Sequence, residues 1–309
     1  MNSKSDRKIS NRLKRFVNRV FSRFSSLRIF SDKTSIKLKY HHSFGKKLNL
    51  KEPKTFNEKL NWLKLYFRKP IFTQMVDKYE VKQLINNKLG EQYVIPSLGV
   101  FDKFEDIDFS SFTFPIVVKT THESGTVFVI KDKDTYDFEK TKKRINKCLK
   151  RNYYYSCREW PYKDCKPRIL VETYMKDEKE ENLPVYKFFC FDGEPYLVQT
   201  IKNDKTRQET IDYFDMNWNL LDLRQNFPNS SEPLSKPSNF EEMKQIAKVL
   251  SKGFPCIRVD LYSINGKVYF SEYTFFSDAG YAAFEPEEWD LKLGEMINLD
   301  LVKEYGKDC

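Results

Sequence analysis

Residues 256–276 read CIRVDLYSINGKVYFSEYTFF. Two β-prone runs, 256–264 and 267–276, flank Asn265-Gly266, the pair that a two-residue hairpin turn favours because both central residues take positive φ. In the first run Ile257, Val259 and Leu261 alternate with Arg258 and Asp260. In the second, Tyr269, Tyr273 and Phe275 share one face, and Glu272 and Thr274 the other. A two-residue turn pairs Ile264 with Lys267 and sets Asp260 and Glu272 on opposite faces. A three-residue loop with Gly266 in a bulge pairs Ser263 with Lys267, puts Arg258, Asp260 and Glu272 on one face, and sets Arg258 opposite Glu272. A bulge further along the two-residue hairpin compensates in the same way. Carboxylates that share a face are hard oxygen ligands suited to Mg²⁺, which uses one or two of them together with substrate phosphates. Arg258 beside them offers a planar fork to a phosphoryl group. The plainer reading is a solvated face with an ordinary Arg–Glu pair. Tyr262, Val268 and Phe270 on the same face weigh against it, because exposed faces rarely carry so much apolar surface.

Upstream, YKFFCF at 186–191 and EPYLVQT at 194–200 flank Asp192-Gly193, a second hairpin. Residues 238–252 fit a helix with Ser238 and Glu241 as a capping box and Gly253 and Pro255 beyond its end. Residues 201–237 are polar and rich in turn formers. The apolar run 114–118 reads as a buried strand ending at Lys119, followed by the turn TTHESG at 120–125 and the strand TVFVI at 126–130. A lysine at a buried strand end requires an anion or a path to water. Ser124, Gly125 and the turn's N–H groups are suited to phosphate, although GxxxxGK[ST] is absent. Lysine-rich 138–150 reads as a solvated helix, RILVETYM at 168–175 as a strand carrying Glu172, and acidic 176–182 as a loop. FNEKLNWLKLYF at 56–67 fits a helix stopped by Pro70, and Thr73 starts a second helix through Ile85 with Gly90 beyond it. Asp77, Lys78 and Lys82 fall on that second helix, with the two lysines four apart on one face, ordinarily a solvated arrangement. Hairpins and helices alternate without regular βαβ units, which implies an α+β fold.

The apolar supply suits a sizeable core. Of 309 residues 40% are hydrophobic, with 26 Phe and 18 Tyr, so global disorder is excluded, and 10 Gly exclude a collagen-like chain. No apolar run approaches the roughly 18 residues of a membrane span, and no apolar leader core stands near residue 1, so folding on the cytosolic side is expected. Net charge is +10, yet residues 1–40 hold 12 basic and 2 acidic side chains, so the remainder is neutral overall and no nucleic-acid partner is expected. Within that basic stretch, residues 8–30 place Phe, Leu, Val and Ile at helical spacing against Arg and Lys, the pattern of a helix lying on an anionic membrane surface or of a tail packed on its own domain. The six Cys form no CxxC pair, and only His41, His42 and His122 are available to a zinc site or histidine triad.

The order of these pieces resembles the ATP-grasp superfamily, and more narrowly its TupA-like family, named for teichuronopeptide biosynthesis. FNEKLNWLK (56–64), DKYEVK (77–82), VVKTTHESG (117–125), ILVETYM (169–175), YKFFCFDGEPYLVQT (186–200), FEEMKQIAKVLSKGFPCIRVDLY (240–262), FSEYTF (270–275) and FEPEEWDLKLGEM (284–296) carry the resemblance, over roughly residues 45–300. It implies two α+β subdomains gripping ATP: a helical region at 41–114, one subdomain at 115–185 and another at 186–309, after the extension at 1–40. By similarity Lys119 and Lys78 contact the nucleotide, Thr121, His122, Ser124 and Gly125 belong to a loop over the phosphates, Glu172 sits near adenine or ribose, and Lys187 lines the slot. Asp260 and Glu272 match the Mg²⁺ ligands, Arg258 the adjacent phosphate-binding arginine, and Thr274 stands where related ligases carry an Asn ligand. The implied reaction activates a carboxylate as an acyl phosphate and passes it to an amine in cell-surface polysaccharide building. A small or lipid-linked saccharide carboxylate would be the donor, handled in the cytoplasm or at the inner membrane face. Other readings are a nucleotide-sugar glycosyltransferase, for which Asp106-Ile107-Asp108 and Asp132-Lys133-Asp134 fit DxD, an ATP-dependent sugar kinase on the same fold, and a non-catalytic scaffold.

Overall fold

A computed structural model describes residues 27–178, 183–203 and 208–302. The membrane-surface segment expected at 8–30 therefore lies outside the described residues except for its last four. The helices are α1 (Asp32–Phe44), α2 (Phe56–Tyr66), α3 (Ile71–Val76), α4 (Glu80–Leu89), α5 (Phe138–Leu149), the single turn α6 (Tyr154–Cys157), α7 (Phe240–Ser251) and α8 (Glu288–Glu295). The strands are β1 (Ser97–Phe101), β2 (Ile116–Thr120), β3 (Val127–Ile130), β4 (Ile169–Thr173), β5 (Val185–Phe191), β6 (Glu194–Lys202), β7 (Thr210–Asp215), β8 (Cys256–Ile264) and β9 (Lys267–Thr274). They form two antiparallel sheets, in the orders β1-β4-β2-β3 and β7-β6-β5-β8-β9.

Alternation along the strands decides what covers each face. In the four-stranded sheet Ile116, Val118, Ile130, Ile169 and Val171 pack with Ile145 of α5 and with Phe104 and Ile107. In the five-stranded sheet one face carries Phe188, Cys190, Ile257, Val259 and Leu261, which bury against Phe240, Met243, Ala247 and Leu250 of α7. Each fully buried side chain of this size contributes about 1.5–3 kcal/mol. The opposite face is covered at one end by α2, whose Phe56 ring lies 6.2 Å from that of Phe189 and 6.3 Å from that of Phe191. Thr55 and Glu58 form a capping box that fixes the start of α2. The same face beyond α2 carries Lys187, Asp260 and Glu272, and there the second sheet faces the first.

Three local expectations are corrected. The helix expected from Thr73 to Ile85 is two helices, broken at Asp77–Tyr79, because the Asp77 carboxylate accepts the N–H groups of Tyr79 at 2.9 Å and Glu80 at 3.1 Å and so opens α4 itself. The polar stretch 201–237 contains β7, whose Ile211, Tyr213 and Phe214 are buried; its inward positions were masked by Asp212 and Asp215. The capping box at Ser238 and Glu241 does not form. Asn239 is the N-cap without a capping side-chain bond, its Oδ1 accepting instead the Ser263 hydroxyl at 3.1 Å, while Glu241 pairs with Lys236 and Lys244.

Residues around α1 join the fold through polar ties. Ile36 and Tyr40 pack with Leu48, Arg158 donates to Leu27 and Ser35 at 2.8 and 3.0 Å, and Asp32 takes Arg68 at 2.9 Å. Among the described residues no helix is long and apolar enough to cross a membrane.

Candidate nucleotide and metal site

The last hairpin resolves its register by a device the sequence left open. Asn265 (φ +50°) and Gly266 (φ +75°) make the two-residue turn, and pairing runs from Ile264–Lys267 to Leu261–Phe270. The ladder then slips by one residue at Ser271, so Asp260 faces Glu272 and Arg258 faces Thr274. The three-residue turn with Arg258 opposite Glu272 is not adopted. Because Lys187 is the β5 partner of Asp260, Lys187, Asp260 and Glu272 stand in one row across three strands.

Arg258 clamps the row from behind. Its Nε and Nη2 each donate to an Asp260 oxygen at 2.8 Å, Nη1 donates to Ser277 and Nη2 also to Thr274, both at 3.0 Å. Burial pushes the Asp260 carboxyl above the usual carboxylate range, opposed by Arg258 and Lys187. Burial also disfavours charge on Glu272, but Lys78, Arg258, Lys187 and Lys119 outweigh it and hold that carboxyl below the usual range. Among the described residues nothing hydrogen-bonds the Glu272 carboxylate. An ionised, half-buried carboxylate that takes no hydrogen bond from the chain and faces the cleft is available to a cation.

The first sheet supplies the facing wall. Lys119 on β2 and Lys82 on α4 each pair with one oxygen of Glu172 on β4. Lys78 occupies the break between α3 and α4. Its N–H donates to Thr121 at 3.1 Å, its ammonium donates to the Glu123 carbonyl, and Arg168 locks Asp77 at 3.1 Å. Burial lowers the Lys78 and Lys82 ammonium pKa, in Lys82 against the pull of Glu172. The resulting cleft has a volume of about 390 Å³ and is lined by Lys78, Lys82, Lys119, Ser124, Gly125, Glu172, Lys187, Asp260 and Glu272, with Val81, Val117, Tyr174, Met175, Tyr262 and Phe270 as its apolar part. A cleft that combines several lysines with apolar lining can take both the phosphates and the base of a nucleoside polyphosphate.

The profile of the family described as TupA-like ATPgrasp matches residues 58–298. The chain belongs to the TupA-like ATP-grasp family. Comparison with curated proteins gives no significant match. Among solved structures, D-alanine–D-alanine ligase from Bacillus anthracis complexed with ATP is 17% identical at a TM-score of 0.44, over 76% of this chain and 68% of that one. L-amino acid ligase from Bacillus licheniformis is 11% identical at a TM-score of 0.45, over 81% of this chain and 56% of that one.

Within this ATP-grasp chain, Lys78, Lys119, Ser124, Gly125, Glu172, Lys187, Asp260 and Glu272 line one cleft, whereas Thr121, His122, Arg258 and Thr274 do not. The Thr121 hydroxyl donates to the Lys166 carbonyl at 3.3 Å. His122 is buried with Nε2 3.2 Å from the Cys148 carbonyl, and burial lowers its pKa. Only the Ser124–Gly125 end of the 120–125 turn therefore reaches the cleft. Lys78 and Lys82 do not share a helix face as their spacing implied, because Lys78 lies in the break before α4 and only Lys82 is on the helix, yet both line the cleft. Sequence reading missed Lys82 as a cleft residue, and the signal available was Glu172 in an apolar strand, a carboxylate with two oxygens and so room for a second lysine beside Lys119. The DxD pairs serve turns instead: Asp108 accepts the Ser110 N–H at 3.0 Å and Asp132 the Asp134 N–H at 2.9 Å, and neither lines the cleft.

Among the described residues no group of three or more His, Cys, Asp or Glu gathers around a common point. Two carboxylates, one of them without a donor, fit Mg²⁺, whose remaining positions go to water and phosphate oxygens.

Proposed function

We propose that this protein is an ATP-dependent carboxylate–amine ligase that acts through an acyl phosphate in cell-surface polysaccharide building. The observation that carries the reading is the row Lys187–Asp260–Glu272 facing Lys78 and Lys119 across one cleft. Asp260 and Glu272 would hold Mg²⁺, which supplies charge neutralisation on the phosphoryl group when bound. Lys119 and Lys78 position the polyphosphate, and Val81, Tyr174, Met175 and Phe270 hold the base. Arg258 grips both Asp260 oxygens and holds that carboxyl in place. The substrate carboxylate attacks the γ-phosphoryl group, ADP leaves, and an amine displaces phosphate from the acyl phosphate to give the amide. Phosphoryl transfer asks little covalent help from a protein, so alignment and fixed charge are the work this cleft does.

The test is phosphate release from Mg·ATP in the presence of pooled uronic acids and L-amino acids, with hydroxylamine as a trap for acyl phosphate. Hydroxamate formation is the expected result. ATP hydrolysis or a phosphoester product without hydroxamate would refute the ligase reading, the phosphoester favouring the kinase. Residues 8–30 are proposed to dock the enzyme on anionic membrane. Unchanged sedimentation with anionic vesicles after removal of residues 1–26 would refute that.

A further inference from the structure

Residues 138–151 read FEKTKKRINKCLKR, seven basic side chains against the single acid Glu139, in a chain whose residues 41–309 are neutral overall. Folding gathers most of that charge on one face. At 100° per residue Lys140, Lys143, Arg144, Lys147 and Lys150 fall within an arc of about 120° on α5 and its C-cap, while Thr141, Ile145 and Cys148 take the buried side. All five basic residues are exposed. Lys142 pairs with Glu105 at 3.0 Å and Arg151 approaches Glu123 at 4.0 Å, whereas among the described residues the five on the arc make no ion pair. A helix that is merely solvated is steadier with acids spaced among its bases, since like charges four residues apart repel. Lys140 with Arg144 and Lys143 with Lys147 are such pairs, and an anionic partner outside the chain relieves their repulsion.

The C-terminal end of this stripe stands close to two other features. The Cys148 carbonyl lies 3.2 Å from His122 Nε2 and the Cys148 thiol 3.3 Å from the Thr126 hydroxyl, which joins α5 to the turn whose Ser124–Gly125 end lines the cleft. Just beyond α5 is the point where the basic extension meets the described fold. The Arg28 guanidinium lies 4.7 Å over the Tyr155 ring, and Arg158 donates to the Leu27 carbonyl at 2.8 Å. Tyr155 follows Arg151 by four residues, a reach of at most about 14 Å. Residues 1–26, outside the described residues, carry eight basic side chains against Asp6. Leu27 and Ile29 at that junction are 42% and 81% exposed. Unpaired cations close to bare aliphatic side chains match a lipid surface, which offers anionic headgroups and an apolar phase together. A soluble polyanion offers only the first.

We propose that the exposed stripe of α5, from Lys140 to Lys150, is a docking surface for an anionic lipid bilayer, a contact separate from the one assigned to residues 8–30. Headgroup phosphates take the lysine ammonium groups and the Arg144 guanidinium, and the attraction weakens as salt rises. Because the turn after β2 is tied to the same helix, docking sets the Ser124–Gly125 rim of the cleft beside the membrane. The docking surface does not depend on which reaction the cleft performs.

The test is sedimentation of the full chain with vesicles of equal parts phosphatidylglycerol and phosphatidylcholine, and with phosphatidylcholine alone. Wild type is compared with a variant carrying Lys140→Gln, Lys143→Gln, Lys147→Gln and Lys150→Gln, and with one carrying Arg at the same four positions. Each lysine near the surface is worth about fivefold in partition, so the glutamine variant is expected to lose about 20-fold or more and the arginine variant to stay within about threefold of wild type. Gln and Lys have similar helix propensity, so Tm is expected to move by less than about 2 °C. Equal loss in the arginine variant makes the lysines structural and overturns the proposal. So does a glutamine variant that binds within about threefold of wild type, or a wild type indifferent to phosphatidylglycerol. Binding to soluble poly-L-glutamate that matches vesicle binding at equal charge and needs the same lysines makes α5 a polyanion site and also overturns it. Loss on removal of residues 1–26 with none in the glutamine variant refutes α5 and keeps the extension; loss in the glutamine variant alone does the reverse. Hydroxamate formation from Mg·ATP, read on the same proteins, reports on the ligase reading separately.

Discussion

Glu272→Gln isolates the cation site from the stability of the chain. The substitution keeps the shape of the side chain and breaks no hydrogen bond among the described residues, since Glu272 makes none there. What it removes is a negative charge that Lys78, Arg258, Lys187 and Lys119 stabilise against burial. Those two effects oppose each other, so the ligand-free protein should lose no more than about 1 kcal/mol at neutral pH. The sign with pH follows from a carboxyl held below its ordinary range. Its contribution is present above the unfolded carboxyl pKa and disappears as pH falls through the folded one, so the difference between the two proteins should close on acidification. For a chain of this length the unfolding entropy is about 650 cal/mol/K, so 1 kcal/mol moves Tm by about 1.5 °C. Mg·ATP at 100 times its Kd adds about 2.7 kcal/mol, or about 4 °C. If Glu272 is a cation ligand, Glu272→Gln reduces affinity by about 100-fold and the ligand shift to under about 1 °C, while ligand-free Tm falls by less than about 2 °C. Differential scanning fluorimetry with Mg·ATP, with ATP plus chelator, and with neither reads all of this. A full Mg·ATP shift in the variant, or a wild-type shift indifferent to chelator, would refute the cation site.

Three further outcomes follow from the geometry. Glu172→Gln leaves Lys82 and Lys119 facing each other without their shared carboxylate, and should cost about 3 kcal/mol in urea unfolding as well as ATP affinity; an unchanged midpoint would contradict the pairing. Gly280→Ala should destabilise by about 2 kcal/mol or more, because φ is +65° and the new Cβ would meet Asn61 Nδ2 at 2.9 Å and Leu60 Cβ at 3.2 Å, whereas Gly266→Ala, with open space at φ +75°, should cost only about 1 kcal/mol. Burial lowers the Lys64 ammonium pKa to about 8, so between about pH 8 and 10.5 the unfolded chain binds more protons than the folded one and stability rises with pH through this group. Lys64→Met should lack that rise, which parallel urea titrations across the window would detect.

Much of the secondary structure is local and was therefore legible. Asn265-Gly266 and Asp192-Gly193 mark their hairpins by backbone preference alone, and the Phe56–Tyr66 helix shows its period and its cap within a dozen residues. The kinds of chemistry were legible too, since carboxylates in a β-ribbon, a lysine ending an apolar strand and a small-residue turn after it are properties of side chains and their order. Tertiary structure decided which of them meet. A single slipped residue at Ser271 turns Glu272 toward Asp260, and no one-dimensional pattern announces a bulge because period-two alternation is ambiguous by one residue. Asp77 breaks a helix its sequence would continue, because Arg168 from the loop before β4 and two local N–H groups hold its carboxylate. Lys82 reads as solvated until β4 brings Glu172 to it. Charge on a side chain is a matter of sequence; its solvation and its partners depend on elements far away in the chain.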